Sequence, residues 1–202
     1  RTARISPDGK WLAWVAPHNG VQNVWAAPIG DMAAGKPLTN ETARPVATIF
    51  WAPDSSRVMF TNDEGGDENF RLFAVAPTGG EVRALTPKGA RAEVVNTSRK
   101  VKDRILVGLN DRDPKWHDVY SLDLKTGALT LVQKNDGYAG FVADEDLKLR
   151  IALRSAADGS YDVSSLAMGG PEGEAFAAKL ADDDRFVVPK VIAEYSSGRI
   201  LT

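Results

Sequence analysis

Cysteine is absent from the 202-residue sequence, which excludes disulfides and thiolate metal sites and leaves the redox compartment open. Histidine is scarce, with only His18 and His117. No apolar run approaches the roughly 18 residues that a membrane-spanning helix needs; the longest, Trp11 to Pro17, falls far short. Charge of one sign is also missing. The formal net charge is −2, so no electrostatic footprint for nucleic acid or an anionic membrane exists, and neither is expected as a partner. The chain opens at Arg1 without a methionine or a signal-peptide pattern, and both ends are expected to be cut. Composition is otherwise that of an ordinary globular protein, with 43% hydrophobic and 26% charged residues.

Site motifs are missing as well. There is no G-x-S-x-G, H-E-x-x-H, G-x-x-x-x-G-K-[ST] or strand-to-helix G-x-G-x-x-G. His117 stands beside Asp118, but neighbours on a strand point to opposite faces, so a His-Asp catalytic pair is not expected. "DEGGDENFRLFA" offers oxygen ligands at Asp63, Asp67 and Asn69, yet its twelfth position is Ala74 where an EF-hand needs a bidentate glutamate. No metal, cofactor or catalytic residue is expected in this chain.

What the sequence does have is a beat. "SPDGKWLAW" from Ser6 and "APDSSRVMF" from Ala52 each set a turn before an alternating apolar run. Taking Leu12, Val58, Ile105, Leu149 and Ile200 as equivalent gives spacings of 46, 47, 44 and 51 residues. A second β-like run follows each of the first four anchors: "QNVWAAP" from Gln22, "NFRLFAVAP" from Asn69, "HDVYSLDL" from His117 and "YDVSSLAM" from Tyr161. A third follows in "GKPLT", "GGEVRALT" and "TGALTLV", and a fourth precedes each anchor in "ARIS", "TIFWA", "AEVVNTS" and "AGFVA". Four short strands, a to d, in 44 to 51 residues describe a β-propeller blade.

The expected fold is therefore all-β: a propeller segment of four-stranded antiparallel blades, about four of them plus the start of a fifth. Blades are expected at approximately 1–47, 48–91, 92–137 and 138–185, with a further one opening at 186–202. Ser55 replaces the turn glycine in the second copy, so a looser turn is expected there; the third copy has lost the signature and the fourth keeps only its acidity. Residues 169–184 fit either a short helix or an irregular outer strand with a long loop. A cut propeller leaves strand edges exposed, which predicts self-association.

Alternation of strands sends the b–c loops to one end of the propeller: "PHNGVQ", "TNDEGGDEN", "NDRDPKWH" and "RSAADGS". Loops on a rigid scaffold are common binding places. Glu64, Asp67, Glu68, Asp111, Asp113 and Trp116 are the candidates for contact with a substrate or with another domain, against the blander reading of solvated loop charge. The five tryptophans are expected to pack blades rather than form a ligand platform.

The runs "RTARISPDGKWLAWVAP", "NDEGGDENFRLFAV" and "LNDRDPKWHDVYSLDL" resemble the N-terminal propeller of bacterial prolyl oligopeptidase-type serine peptidases, nearest the dipeptidyl aminopeptidase/acylaminoacyl-peptidase group. The resemblance covers roughly residues 1–165. It implies a propeller that gates and orients peptides for a C-terminal α/β-hydrolase domain, whose Ser-Asp-His triad has no counterpart here. The implied partners are a peptide substrate and that hydrolase domain, the implied location is periplasmic or secreted, and the chain alone is expected to be inactive. Some peptidases of this kind hold a substrate's amino terminus with propeller carboxylates. The alternatives are a TolB-like propeller acting as a protein-interaction module, since the "SPDG" turn is shared with that type, and a propeller glycosidase using paired carboxylates.

Overall fold

The computed structural model describes residues 2–155 and 157, together with strand 161–165. Sheet 1 holds β1 (Ala3–Ile5), β2 (Trp11–His18), β3 (Val21–Pro28) and β4 (Lys36–Pro37); sheet 2 holds β5 (Ile49–Trp51), β6 (Val58–Asn62), β7 (Arg71–Val75) and β8 (Arg83–Ala84). Sheet 3 holds β9 (Ala92–Asn96), β10 (Arg104–Asp113), β11 (Trp116–Asp123) and β12 (Leu129–Gln133). In each, neighbours in sequence are neighbours in the sheet and every pairing is antiparallel. These are the four-stranded blades expected of a propeller. They form one compact unit, residues 1–135; a second unit, 136–202, contains β13 (Gly140–Ala143), β14 (Leu149–Ser155) and β15 (Tyr161–Ser165), paired antiparallel in that order. The expected 169–184 segment and the opening of a fifth blade lie outside the described residues.

The a–b turn forms where its chemistry asks for it. The Gly9 N–H donates to the Ser6 carbonyl at 2.8 Å with Gly9 at φ +73°, a left-handed conformation that costs glycine little. The Ser6 hydroxyl donates to Asp8 and accepts the Lys10 and Trp11 N–H groups. The second copy corrects the expectation of a looser turn. Ser55 takes φ +65°, and its N–H donates to the Ala52 carbonyl at the same 2.8 Å. The fourth copy closes likewise: Leu147, at φ +59°, donates to the Asp144 carbonyl at 3.0 Å. The second copy keeps the aspartate of the first, and in the fourth Asp144 stands where Ser6 stands in the first. Asp54 accepts the Ser56 N–H, and Asp144 accepts those of Asp146 and Lys148, an Asx-type local bond that tolerates left-handed neighbours.

Alternation along the central strands divides each sheet into two apolar faces. Val58, Phe60 and Val75 of sheet 2 join Ala13, Val24 and Ala26 of sheet 1 in one buried cluster. Met59, Leu72 and Ala74, one residue out of step, join Ile105, Val107, Leu109 and Leu122 of sheet 3 in another. The core is thus built between blades and not within any one of them. Polar ties follow the same period. The Trp51 indole N–H donates to the Arg4 carbonyl at 2.9 Å, and the Asp8 N–H donates to the Ser55 hydroxyl at 3.0 Å, each pair 47 residues apart.

A short motif after strand d repeats this economy. The Leu38 and Leu85 N–H groups extend strand d by donating to Val24 and Leu72 carbonyls, while the hydroxyls of Thr39 and Thr86 accept the buried N–H groups of Val24 and Leu72. "LT" is the only trace of this device in the sequence at either place.

Candidate functional site

The b–c connections differ from the expected loops. β2 and β3 join through Asn19-Gly20 alone, at φ +51° and +85°, the left-handed pair of a type I′ hairpin. β10 and β11 join through Pro114-Lys115. Asp111, Asp113 and Trp116 therefore lie on the extended ends of a hairpin and not in a loop, because β10 carries a bulge between Leu109 and Asp113. Among the b–c connections that are fully described, only "TNDEGGDEN" joins its strands by an irregular loop. The last of the four falls partly outside the described residues.

The 63–69 loop is held from both sides by arginines. Asp63, nearly fully buried, accepts the Arg44 Nε at 2.7 Å and Nη2 at 3.1 Å, and also accepts the Glu68 N–H at 3.2 Å. The two-pronged guanidinium contact holds the Asp63 carboxyl below the ordinary aspartate range. Glu68 is left-handed at φ +59°, and its side chain is not tied down by Asp63, which takes its backbone. Glu64 receives Lys88 at 2.5 Å and Arg71 at 2.8 Å, and these bonds, Lys88 first, lower its pKa. Asp67 turns back on the Asn69 N–H at 3.1 Å. Arg71 is the organiser of this end: it also donates twice to the Thr86 carbonyl and lies 5.3 Å above the Phe73 ring.

A second cluster forms at the bulge of sheet 3. Asp118, nearly fully buried, accepts Arg112 Nε and Nη2 at 2.7 and 2.8 Å and the Asn135 N–H at 2.7 Å. The Arg112 contact, stronger than the opposing effect of burial, lowers the Asp118 pKa. Asp111 accepts the Tyr120 hydroxyl at 3.2 Å; burial and then the Asp111 charge raise the tyrosine's pKa. Asp113 accepts the Lys115 N–H at 3.0 Å and shapes the hairpin end. Trp116 pairs across from Asp113 and is half-buried.

The crossover between sheets 2 and 3 touches both clusters. Lys88 on it reaches Glu64, the Arg91 guanidinium lies 5.8 Å above Phe70, and the Arg91 N–H donates to Asn110 Oδ1 at 2.7 Å. The six candidates fall into two groups at the b–c ends of sheets 2 and 3: the Asp67 N–H donates to the Glu64 carbonyl at 3.4 Å beside Glu68, and Trp116 pairs with Asp113 near Asp111. Three of the residues that organise them, Arg44, Arg71 and Arg112, escape a reading that looks for carboxylates. They share no blade position in the sequence: Arg44 precedes β5, Arg71 opens β7 and Arg112 lies near the end of β10. His117 takes no part: its Nε2 is buried without a hydrogen-bond partner, and Asp118 is turned to Arg112. Among the described residues no group of three or more His, Asp or Glu could hold a metal ion.

No protein-family model matches the sequence. Over 162 residues, or 79% of its length, the chain is 45% identical to dipeptidyl aminopeptidase BIII of Pseudoxanthomonas mexicana, and over 163 residues it is 29% identical to dipeptidyl peptidase family member 6 of Caenorhabditis elegans. The chain is a β-propeller segment homologous to dipeptidyl aminopeptidase BIII. It spans 24% and 22% of the lengths of these two relatives. In fold it is similar to a puromycin hydrolase structure, with a TM-score of 0.54 at 17% identity over 80% of this chain and 26% of that one. A prolyl endopeptidase structure matches with the same TM-score at 20% identity, covering 77% of this chain and 24% of that one. The β-propeller is the fold that this chain shares with these structures.

Proposed function

We propose that this chain is the non-catalytic propeller segment of a serine peptidase, where it orients peptide substrates for a hydrolase domain carried elsewhere in the protein. The observation that supports this most is the 45% identity to dipeptidyl aminopeptidase BIII over 162 residues. The rim chemistry agrees with it. A peptide with a free amino terminus carries an ammonium group, and a surface of carboxylates on a rigid scaffold suits it. Glu64 is neutralised by Lys88 and Arg71, so Asp67, Glu68, Asp111 and Asp113 are the carboxylates through which the rim would meet substrate or the hydrolase domain.

The test uses the full-length protein and a serine-directed fluorophosphonate. The full-length protein labels stoichiometrically, the 1–202 chain does not, and dipeptides are released from the amino end of a model peptide. Glu68→Gln and Asp111→Asn raise KM for that peptide several-fold with little change in kcat, as loss of binding without loss of chemistry requires. An unlabelled full-length protein, or stoichiometric labelling of the 1–202 chain, overturns the reading.

A further inference from the structure

A half-buried carboxylate on the crossover from sheet 1 to sheet 2 has no counter-charge. Glu41 follows the Leu38-Thr39 pair, and Asn23, near the start of β3, clasps its backbone. The Glu41 N–H donates to Asn23 Oδ1 at 2.7 Å, and the Asn23 amide donates to the Glu41 carbonyl at 3.0 Å. The Thr39 hydroxyl donates to the same Oδ1 at 2.7 Å. Asn23 is fully buried, so the clasp fixes Glu41 at the b–c end of sheet 1.

The chain satisfies its other covered acids. Among the described residues, every other aspartate or glutamate that is buried or half-buried has a bonded carboxylate. Asp63 meets Arg44, Asp118 meets Arg112 and Asp144 meets Arg150, each at 2.7 Å, while Asp113 and Asp123 accept backbone N–H groups. On the next crossover, Lys88 stands two residues past Thr86 as Glu41 stands two past Thr39, and Lys88 is paired with Glu64. The Glu41 carboxylate accepts no hydrogen bond and meets no cation. Burial alone pushes it above the ordinary glutamate range, as it does any carboxylate taken out of water without a partner.

Given the peptidase reading above, we propose that Glu41 is a docking contact for the hydrolase domain, receiving a lysine ammonium or arginine guanidinium from polypeptide outside residues 1–202. The chain spans 24% of dipeptidyl aminopeptidase BIII, and a parent of that length has ample chain to supply the partner. A divalent metal ion fits poorly, because it takes several oxygen ligands and no group of three or more such residues exists among the described ones. A substrate ammonium also fits less well. It would leave Glu41 desolvated and unpaired in every unliganded molecule, whereas a basic residue of the same polypeptide keeps the charge compensated throughout. Contacts between domains are polar enough to hold such a pair.

Benzoylphenylalanine at Thr42 of the full-length protein, an exposed neighbour of Glu41, tests this. Irradiation is expected to give an intramolecular product whose mapped partner peptide contains a lysine or arginine and lies in the segment that carries G-x-S-x-G. Glu41→Lys lowers the yield several-fold, and changing the mapped basic residue to glutamate in that variant restores it. A second arm compares kcat/KM for peptides with a free and an acetylated amino terminus, and Glu41→Gln leaves their ratio unchanged. A partner elsewhere in the polypeptide, a product of doubled mass, no product, a yield that ignores Glu41→Lys, or loss of the free-terminus preference in Glu41→Gln overturns the proposal. Failure of the full-length protein to label with the fluorophosphonate overturns the peptidase reading; a labelled protein whose cross-link maps elsewhere overturns only the role of Glu41.

Discussion

At the scale of single residues, the acids of the rim divide by burial. Asp118 and Asp63 are almost fully covered, and each is matched by a two-pronged arginine. Such a pair is costly to break from one side, because the remaining charge is left without its partner. Asp118→Asn is expected to destabilise by about 2–3 kcal/mol at neutral pH, less than the loss for a fully buried pair because Arg112 is 36% exposed. The pH dependence has a definite sign. The Asp118 pKa is lowered in the folded protein, so its contribution is complete above the ordinary carboxylate range and is lost as pH falls through the folded value. Urea midpoints measured from about pH 5 downward should fall more steeply for the wild type than for Asp118→Asn. Parallel acid profiles would refute the assignment.

The turn residues show, at the same scale, how much a sequence signature can hide. Gly9, Ser55 and Leu147 all occupy the left-handed position of the same turn, but only the first is the residue that position favours. Ser55 earns a place by its hydroxyl, which receives the Asp8 N–H of the neighbouring blade. Leu147 is 7% exposed, so burial of its side chain offsets backbone strain of the order of 1 kcal/mol. Local propensity is legible in sequence; the tertiary bond that outweighs it is not.

At the scale of the element, strands b and c were legible because their side chains alternate over five or more residues. Strand d was less so, being two residues long in sheets 1 and 2. Its anchor is the Leu-Thr pair, whose threonine takes a buried backbone N–H. Thr39→Val and Thr86→Val keep shape but leave the Val24 or Leu72 N–H without an acceptor, at about 1–3 kcal/mol each. Located in different sheets and sharing no bonds, the two losses should add within about 0.5 kcal/mol in the double variant. Denaturant unfolding of the three proteins measures this, and a loss near zero at either site would remove the motif's structural role. The b–c hairpins teach the converse. Asn19-Gly20 announces a two-residue turn, but the irregular end of β10 accompanies bonds from Asn110 to Arg91, just ahead of β9, and to Pro114, which no turn signature names.

At the scale of the molecule, stability lies between blades. Trp51 makes the point: it is buried at 7% and bonded to the Arg4 carbonyl across the sheet 1–2 boundary. Trp51→Phe, which keeps a ring and loses the donor, should cost about 0.5–1.5 kcal/mol from the hydrogen bond alone. Trp51→Ala, which also opens a cavity, should cost about 3–5 kcal/mol. If the two variants unfold at the same denaturant concentration, the boundary is not the seat of the stability. The acids of the b–c ends follow another rule: each cluster is made locally, and the crossover residues Lys88 and Arg91 tie sheet 2 to sheet 3 beside them.

The sequence by itself determined the repeat, its period, the strands and the lack of a G-x-S-x-G nucleophile, because these depend on alternation, turn chemistry and residue types along the chain. It also carried the resemblance that the comparison with dipeptidyl aminopeptidase BIII bears out. Only the tertiary structure decided which acids are already neutralised, which arginines do it, and which turns survive without glycine. Those depend on partners that alternation does not name, from six residues away for Arg112 and Asp118 to 47 for Arg4 and Trp51. Periodicity shows which side of a strand is apolar. What that side meets is settled by the neighbouring blade.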